Sequence, residues 1–266
     1  MPHVEGRALT DIFDETLGAT RRDLGRFLVL ALLVWPVTTA TLGIAIELGA
    51  DAFTRPTTEV WLLLAFLVAW VGQYAALTML QLCVAIHYEE ETLPLSGLAT
   101  QTIRRLTDAF VANAPGYGAG GAAVLAVAAY ARVMLAIIES PPSGAMWIAL
   151  GGGLVMLAVL AGALAVILRN TTAVVHVGRF GLSGRAAWRA SAKTVRGRRG
   201  QALVLLAAPL AVTLFAGAVE SAIIPSGLQS LGTGPWTWIA LLLRQGTAAL
   251  VAVPASVAWC VWVSTP

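Results

Sequence analysis

The fold of this chain is decided by apolar stretches such as residues 146–168, which read MWIALGGGLVMLAVLAGALAVIL. No charged side chain interrupts these 23 residues. A helix that spans a bilayer needs about 20 mostly apolar residues, since each residue adds about 1.5 Å along the helix axis. Residues 146–168 are therefore predicted to form a transmembrane helix.

Five further stretches meet the same criterion, at residues 27–49, 60–86, 117–138, 202–224 and 236–262. The composition agrees with six spans, because 58% of the 266 residues are hydrophobic and only 12% are charged. A soluble globular domain is about 25% charged. This composition excludes a soluble enzyme, a disordered chain and a free-standing nucleic-acid-binding protein.

The distribution of basic residues predicts the orientation of the spans. Fourteen of the 17 Lys and Arg residues lie before the first span, between the second and third, or between the fourth and fifth. Loops rich in Lys and Arg stay in the cytoplasm. We therefore expect a multi-pass protein of the bacterial cytoplasmic (inner) membrane with both termini inside. The same distribution explains the net charge of +3 without a nucleic-acid partner.

Three of the basic segments also carry an amphipathic pattern, at residues 8–24, 98–111 and 185–196. Helices with one apolar and one charged face lie in the headgroup plane of a membrane. Three interfacial helices are therefore predicted, although the segments could simply connect spans. The third is expected to attract anionic lipid through a group of six cations. These are Arg185, Arg189, Lys193, Arg196, Arg198 and Arg199.

Matching residues indicate an internal repeat. The second and third amphipathic segments open with Leu95-Ser96-Gly97 and Leu182-Ser183-Gly184, and two odd-numbered spans each place a proline eleven residues before a glutamate. The predicted fold class is an all-α polytopic membrane protein of one transmembrane domain. It has six transmembrane helices and three cytoplasmic-side interfacial helices, arranged as three tandem repeats over about 1–90, 91–178 and 179–266.

This layout, with the basic run Val195-Arg196-Gly197-Arg198-Arg199-Gly200 before the fifth span, resembles a group of bacterial six-span proteins. They are similar to the membrane domain attached to some glycerophosphodiester phosphodiesterases. The 266 residues hold no counterpart of the soluble barrel that carries the chemistry in those fusions. The resemblance therefore implies a membrane fold and no catalysis of that kind.

Charges inside the spans predict a candidate ligand-binding site. Arg132 and Arg244 lie within spans, and three glutamates mark the outer ends of the odd-numbered spans, namely Glu47, Glu139 and Glu220. An Arg at the bilayer centre costs roughly 2.5–3.5 kcal/mol on insertion scales, so it should be paired and face protein or water. Two interpretations follow: ion pairs that fix the bundle, or a polar cavity in which the two arginines contact an anionic group and the glutamates are counter-ions.

Polar and small residues within the spans allow two further interpretations. Tyr74, Thr78 and Gln81 share one face of the second span, either as interhelical hydrogen bonds or as a cavity lining. Glycines are clustered around Gly116 and around residues 151–153, and this is typical of close helix packing.

Motifs for catalysis are weak. His87, Glu90 and His176 could hold a metal only if the fold brings them together, because a metal site needs three or four convergent ligands. Ser183 lies in a Gly-x-Ser-Gly sequence but has no histidine in the last span to act as its base, so it and Ser96 are predicted to be helix N-caps. We expect no catalytic residue, no bound metal and no cofactor.

The predicted function is a non-catalytic integral membrane module that binds, scaffolds or passes lipid-like or small anionic molecules. Its partners are membrane lipids, with a surface for a protein on the cytoplasmic face. One alternative is a permease subunit of an ATP-driven exporter, which would dock its ATPase on residues 98–111 or 185–196. Another is a lipid-modifying membrane enzyme, which requires His87, Glu90 and His176 within ligand distance of one another.

Overall fold

The computed structural model describes residues 8–52, 58–140, 142–223 and 235–264. Within these ranges the secondary structure consists of nine α-helices. They are α1 (Leu9–Arg22), α2 (Leu24–Ala52), α3 (Thr58–Glu89), α4 (Leu95–Glu139), α5 (Ala145–Asn170), α6 (Ala173–Phe180), α7 (Gly184–Val195), α8 (Arg199–Ile223) and α9 (Pro235–Ser264).

Five of the described helical segments are long and apolar enough to cross a membrane. They are Leu24–Leu48, Val60–Glu89, Leu95–Glu139, Ala145–Phe180 and Leu241–Ser264. A sixth is added if α7 and α8, which meet at an angle of 107°, count together as one broken span. Helix length and apolar composition therefore confirm the prediction of an all-helical, multi-pass membrane protein, and they support five to six spans where six are predicted.

Helix α4 joins two segments that the sequence analysis separates. The predicted interfacial helix at 98–111 and the predicted span at 117–138 form one continuous helix of 45 residues. Its length is about 67 Å, more than twice the roughly 30 Å of the hydrocarbon core. Pro115 lies inside the helix, between the two predicted segments. Membrane helices tolerate an internal proline because neighbouring groups satisfy the freed carbonyl, so residues 98–111 are the start of a long helix rather than a separate one.

The main cluster of buried side chains includes the C-terminal turns of α3 and α9 and much of α6, and α6 packs mainly against α3 and α4. Close approach of backbones makes this packing possible. A Cβ atom added to Gly178 of α6 would lie 2.5 Å from the Cβ atom of Ala85 in α3, so no larger residue fits without a shift. The buried ends of three helices are thus held together by side-chain packing at one end of the bundle.

Arg179 adds a polar link at the same place. Its Nε donates to the carboxylate of Glu89 in α3 at 2.8 Å, and its Nη1 donates to the carbonyl oxygen of Cys260 in α9 at 3.0 Å. The guanidinium also lies 5.2 Å from the ring centroid of Tyr88. One side chain of α6 therefore ties α3 to α9.

In contrast to this buried cluster, the outer face of α5 carries large apolar side chains that the described part of the chain does not cover. Trp147, Leu154 and Val155 each expose about two thirds or more of their surface (72%, 69% and 66%). Exposed apolar patches of this kind need a non-aqueous neighbour. This face is suited to contact with lipid hydrocarbon.

Candidate functional site

A cationic pocket with a volume of about 380 Å³ lies between α7, the C-terminal end of α5 and the start of α8. We call it the basic pocket. Five cationic side chains line it, namely Arg169, Arg189, Lys193, Arg196 and Arg199, together with Trp188, Ala192 and Val195. No Asp or Glu is among these described lining residues, and the sequence has none between Glu139 and Glu220. The pocket therefore concentrates positive charge that no lining carboxylate offsets.

The geometry of α7 and α8 places these cations around one concavity. Arg189 and Lys193 are four residues apart on α7 and so project from the same face of the helix. After α7 the chain turns at Gly197, whose φ of +89° is a left-handed conformation that favours glycine. This turn produces the 107° angle between α7 and α8 and brings Arg199, the first residue of α8, to the other side of the pocket.

Ser191 fixes α7 to the end of α5. Its side chain is fully buried, and its hydroxyl donates to the carbonyl oxygen of Arg169 at 2.7 Å. The Ser191 hydroxyl oxygen also accepts two hydrogen bonds, from the Thr172 hydroxyl at 2.9 Å and from the Thr172 N–H at 3.3 Å. One donated and two accepted bonds use the whole hydrogen-bonding capacity of a serine hydroxyl. The backbone that carries Arg169 is thereby tied to the helix that carries the other cations.

The N-terminus of α7 is held by a residue of α4. The N–H of Gly184 donates to the carboxylate of Asp108 at 2.9 Å. A Cβ atom on Gly184 would lie 2.7 Å from the Asp108 carbonyl oxygen, so the two helices approach this closely only because residue 184 is glycine. Ser183 occupies the N-cap position as predicted, but its side chain makes no capping bond, and the acceptor at this helix end is the Asp108 carboxylate, which bonds the N–H of the first helical residue. Ser96 lies in the first turn of α4, and the N-cap there is Pro94.

The basic pocket uses four of the six cations that the sequence analysis assigns to anionic lipid: Arg189, Lys193, Arg196 and Arg199. The guanidinium of Arg198 instead lies 4.4 Å from the ring centroid of Trp262 in α9, and its Nε donates to the Gln201 side chain at 3.2 Å. Arg185 is exposed and does not line the pocket. The six therefore divide into a group of four around a pocket, one stacked arginine and one surface arginine.

Sequence reasoning missed Arg169, the fifth cation. It lies in the last turn of α5, and a basic residue there is expected from the orientation rule alone. Its place in the pocket depends on the hydrogen bond between the Arg169 carbonyl and Ser191, 22 residues further along the chain. A tertiary contact of this kind leaves no periodic signal in the sequence.

The charged residues predicted to form an intramembrane ligand site lie elsewhere. Arg132, Arg244, Glu47 and Glu139 are exposed on the surface of the bundle, and none of them lines the basic pocket. Arg132 and Glu139 are seven residues apart on α4, as their spacing predicts. The side chain of Glu220 is outside the described residues. A joint ligand site for these five residues stays a prediction.

The three residues required for a lipid-modifying metal enzyme do not form a ligand cluster. His87 faces Asp23, with 3.5 Å between Nε2 and Oδ2, while Nε2 of His176 lies 3.1 Å from the Thr194 hydroxyl. Glu90 accepts a hydrogen bond from Gln101 at 2.8 Å. Within the described ranges no group of three His, Cys, Asp or Glu side chains is arranged to hold a metal ion.

No protein-family model, curated protein or solved structure matches this chain. The fold and the pocket alone therefore define its class, which is a multi-pass helical membrane protein. Its best-defined polar feature is a concave cluster of five cations at the junction of three helices.

Proposed function

We propose that this protein is a non-catalytic integral membrane module that binds the phosphate-bearing headgroup of an anionic lipid in the basic pocket. The observation that carries the proposal is the pocket itself, in which five cations surround about 380 Å³ and no carboxylate is among the described lining residues. Guanidinium groups donate paired hydrogen bonds to phosphate oxygens, and a lysine adds a compact positive charge. A group of cations without carboxylates among its described neighbours is suited to bind an anion rather than a neutral or cationic molecule.

The surroundings of the pocket favour a lipid over a soluble anion. Trp188 lines the pocket beside the cations, and tryptophan is enriched at membrane interfaces because its ring is apolar and its N–H is polar. Under the orientation proposed from the basic residues, with both termini in the cytoplasm, the pocket faces the inner leaflet of a bacterial cytoplasmic membrane. Anionic headgroups there attract basic residues by about 1 kcal/mol each.

The finer architecture belongs to the same proposal. The order of helices supports three units, each made of an amphipathic segment followed by two spans, over about 1–90, 91–178 and 179–266. In the first and third units α1 and α7 are the interfacial helices, while the second unit begins with the first turns of α4. In this arrangement the basic pocket forms at the junction of the second and third units.

Lipid retention tests the proposal. The extracted full chain is mixed with phosphatidylglycerol and phosphatidylcholine, and the lipids that stay bound to it are quantified by native mass spectrometry. We expect the wild type to retain phosphatidylglycerol preferentially. Changing two exposed cations, Arg189→Gln and Lys193→Gln, should weaken this preference roughly 30-fold, because two contributions of about 1 kcal/mol are lost.

A matched variant separates this pocket from the other charged positions. The double change Arg132→Gln and Arg244→Gln also removes two exposed cations, but neither of them lines the pocket. It should leave the preference unchanged. Equal losses in both double variants would refute the assignment to the pocket, and a loss in the Arg132 and Arg244 variant alone would favour a site at those residues. Displacement of the lipid by millimolar inorganic phosphate would identify a soluble anion as the ligand.

The exporter-subunit alternative depends on a protein partner. It requires an ATPase to dock on residues 98–111 or 185–196. Co-purification of an ATPase that is lost on substitution of Arg185, which is exposed and outside the pocket, would support it.

A further inference from the structure

A second cavity, with a volume of about 520 Å³, lies between α3, α4 and α5 on one side and α8 and α9 on the other. We call it the amide cavity. It shares no described lining residue with the basic pocket. Every lining residue lies in a segment that is long and apolar enough to cross a membrane, alone or as part of the α7–α8 pair.

The walls of the amide cavity combine aromatic rings with uncharged hydrogen-bonding groups. The rings belong to Trp70, Tyr117 and Trp259, and the side-chain amides to Gln73, Gln81, Asn113 and Asn170. No charged side chain is among the described lining residues. A charged headgroup would find no counter-charge here, and a bare hydrocarbon chain would leave the Gln81 amide and Oδ1 of Asn170 without partners, which is unfavourable in a dry site.

Glycines of α4 bring two of these groups close to the helix axis. A Cβ atom on Gly116 would lie 2.7 Å from the amide nitrogen of Asn170, and one on Gly120 would lie 3.2 Å from the ring of Trp70. The predicted role of the glycine cluster in close helix packing is confirmed at these two positions. At the cavity, α4 is thus in close contact with Asn170 of α5 and with Trp70 of α3.

Asn170, one of the lining residues, has a buried side-chain oxygen without a described partner. The residue is only 2% exposed, and its amide nitrogen donates to the carbonyl oxygen and to Oδ1 of Asn113, at 3.1 Å and 3.2 Å. Asn113 in turn donates to the Thr78 hydroxyl at 2.8 Å. Oδ1 of Asn170 has no hydrogen-bond partner among the described residues. Buried acceptors are rarely left unpaired, so a donor from outside the described residues is the expected partner, and the hydroxyl of a bound molecule can supply it.

Gln81 supplies the complementary group. It lines the cavity, is half-buried, and makes no hydrogen bond to any other residue that the structure describes. Its amide can donate two hydrogen bonds. The cavity therefore offers one unused acceptor and one unused amide, and a complementary ligand carries a hydroxyl and a carbonyl on an apolar body.

We propose that the amide cavity binds an uncharged lipid with a free hydroxyl beside an ester, the chemical class of the diacylglycerols. The hydroxyl donates to Oδ1 of Asn170, the ester carbonyl accepts from Gln81, and the acyl chains lie against the aromatic walls. Leu210 of α8 lines the cavity and is also 58% exposed, so only this side of α8 separates the cavity from the outer surface. The ligand enters past Leu210. This site is independent of the basic pocket.

Equilibrium binding of radiolabelled 1,2-dioctanoylglycerol to the full chain in detergent tests the proposal. The comparison ligand is the same lipid with its hydroxyl acetylated, which cannot donate. We expect the wild type to bind the free hydroxyl form roughly threefold to tenfold more tightly, the value of one hydrogen bond. Asn170→Leu keeps the size of the side chain but removes the acceptor, so it should abolish this difference.

Three further variants complete the test. Leu210→Trp narrows the cavity and should weaken both ligands, whereas Leu243→Trp, on the α9 surface with 55% exposure and outside the lining, should weaken neither. Gln81→Leu breaks no described hydrogen bond, so it is expected to fold even if Asn170→Leu does not, and it should weaken both ligands severalfold. Absence of saturable binding, or equal affinity of the wild type for both ligands, overturns the proposal. The Arg189→Gln and Lys193→Gln variant should bind dioctanoylglycerol normally.

Discussion

Replacing Ser191 by alanine should loosen α7 from α5 and so disturb one wall of the basic pocket. The change removes the acceptor of the Thr172 hydroxyl and the donor to the Arg169 carbonyl, in a place where the Ser191 and Thr172 side chains are fully buried. Each buried group left without a partner costs about 1–3 kcal/mol. Because the Thr172 hydroxyl can rotate toward another acceptor, we expect a total loss of about 2–4 kcal/mol in the free energy of unfolding.

The assay is reversible unfolding of the purified chain in mixed micelles of dodecyl maltoside and sodium dodecyl sulfate, followed by circular dichroism. Thr100→Ala is the matched control, because the Thr100 hydroxyl donates to the Ser96 carbonyl at 2.9 Å in an exposed position. It should change the free energy of unfolding by less than about 0.5 kcal/mol. Ser191→Ala should also reduce the retention of phosphatidylglycerol, whereas Thr100→Ala should not. If both variants unfold like the wild type, Ser191 does not hold α7 in place.

Three other substitutions probe the contacts around α6 and α7 in the same unfolding assay. Gly178→Val would place a Cβ atom 2.5 Å from that of Ala85 and should cost about 1–3 kcal/mol through overpacking; a neutral result would mean that α3 and α6 separate easily. Asp108→Ala removes the acceptor at the Gly184 N–H and should cost about 1 kcal/mol, with Asp108→Asn intermediate because its amide oxygen still accepts. Arg179→Met keeps the apolar stem but loses the charged hydrogen bonds to α3 and α9, so we expect a loss of about 2 kcal/mol, and unchanged stability would show that apolar packing alone joins these helices.

The spans could be predicted from the sequence because the bilayer imposes one length and one polarity on every crossing segment. The periodic cations at 185–196 likewise predict α7 and three of the five pocket cations, since a helix repeats its faces at fixed spacing, and the basic run at 195–200 adds Arg199. Arg169 and the capping role of Asp108 could not be predicted, because each depends on a hydrogen bond between distant parts of the chain.

The second predicted span illustrates how far a sequence constrains polar contacts. Tyr74, Thr78 and Gln81 share a face, and the structure uses them in both of the ways that spacing allows. Tyr74 donates to the carbonyl oxygen of Phe110 and Thr78 accepts from Asn113, while Gln81 lines the amide cavity. Periodicity identifies the face, but only the neighbouring helices decide which residue is paired and which is left open to a ligand.

The 45-residue length of α4 determines how the protein responds to membranes of different thickness. Fitting about 67 Å of helix within the roughly 45 Å of a whole bilayer would need a tilt of about 48°, beyond the 0–40° found for membrane helices, so part of α4 extends into water. A helix with such an overhang can shift along its axis when the bilayer thins or thickens. Helix α5 has 26 residues and is about 39 Å long, so it has no comparable extra length outside the bilayer. Hydrophobic mismatch would therefore act mainly on α5, the helix whose last turn carries Arg169 and Asn170.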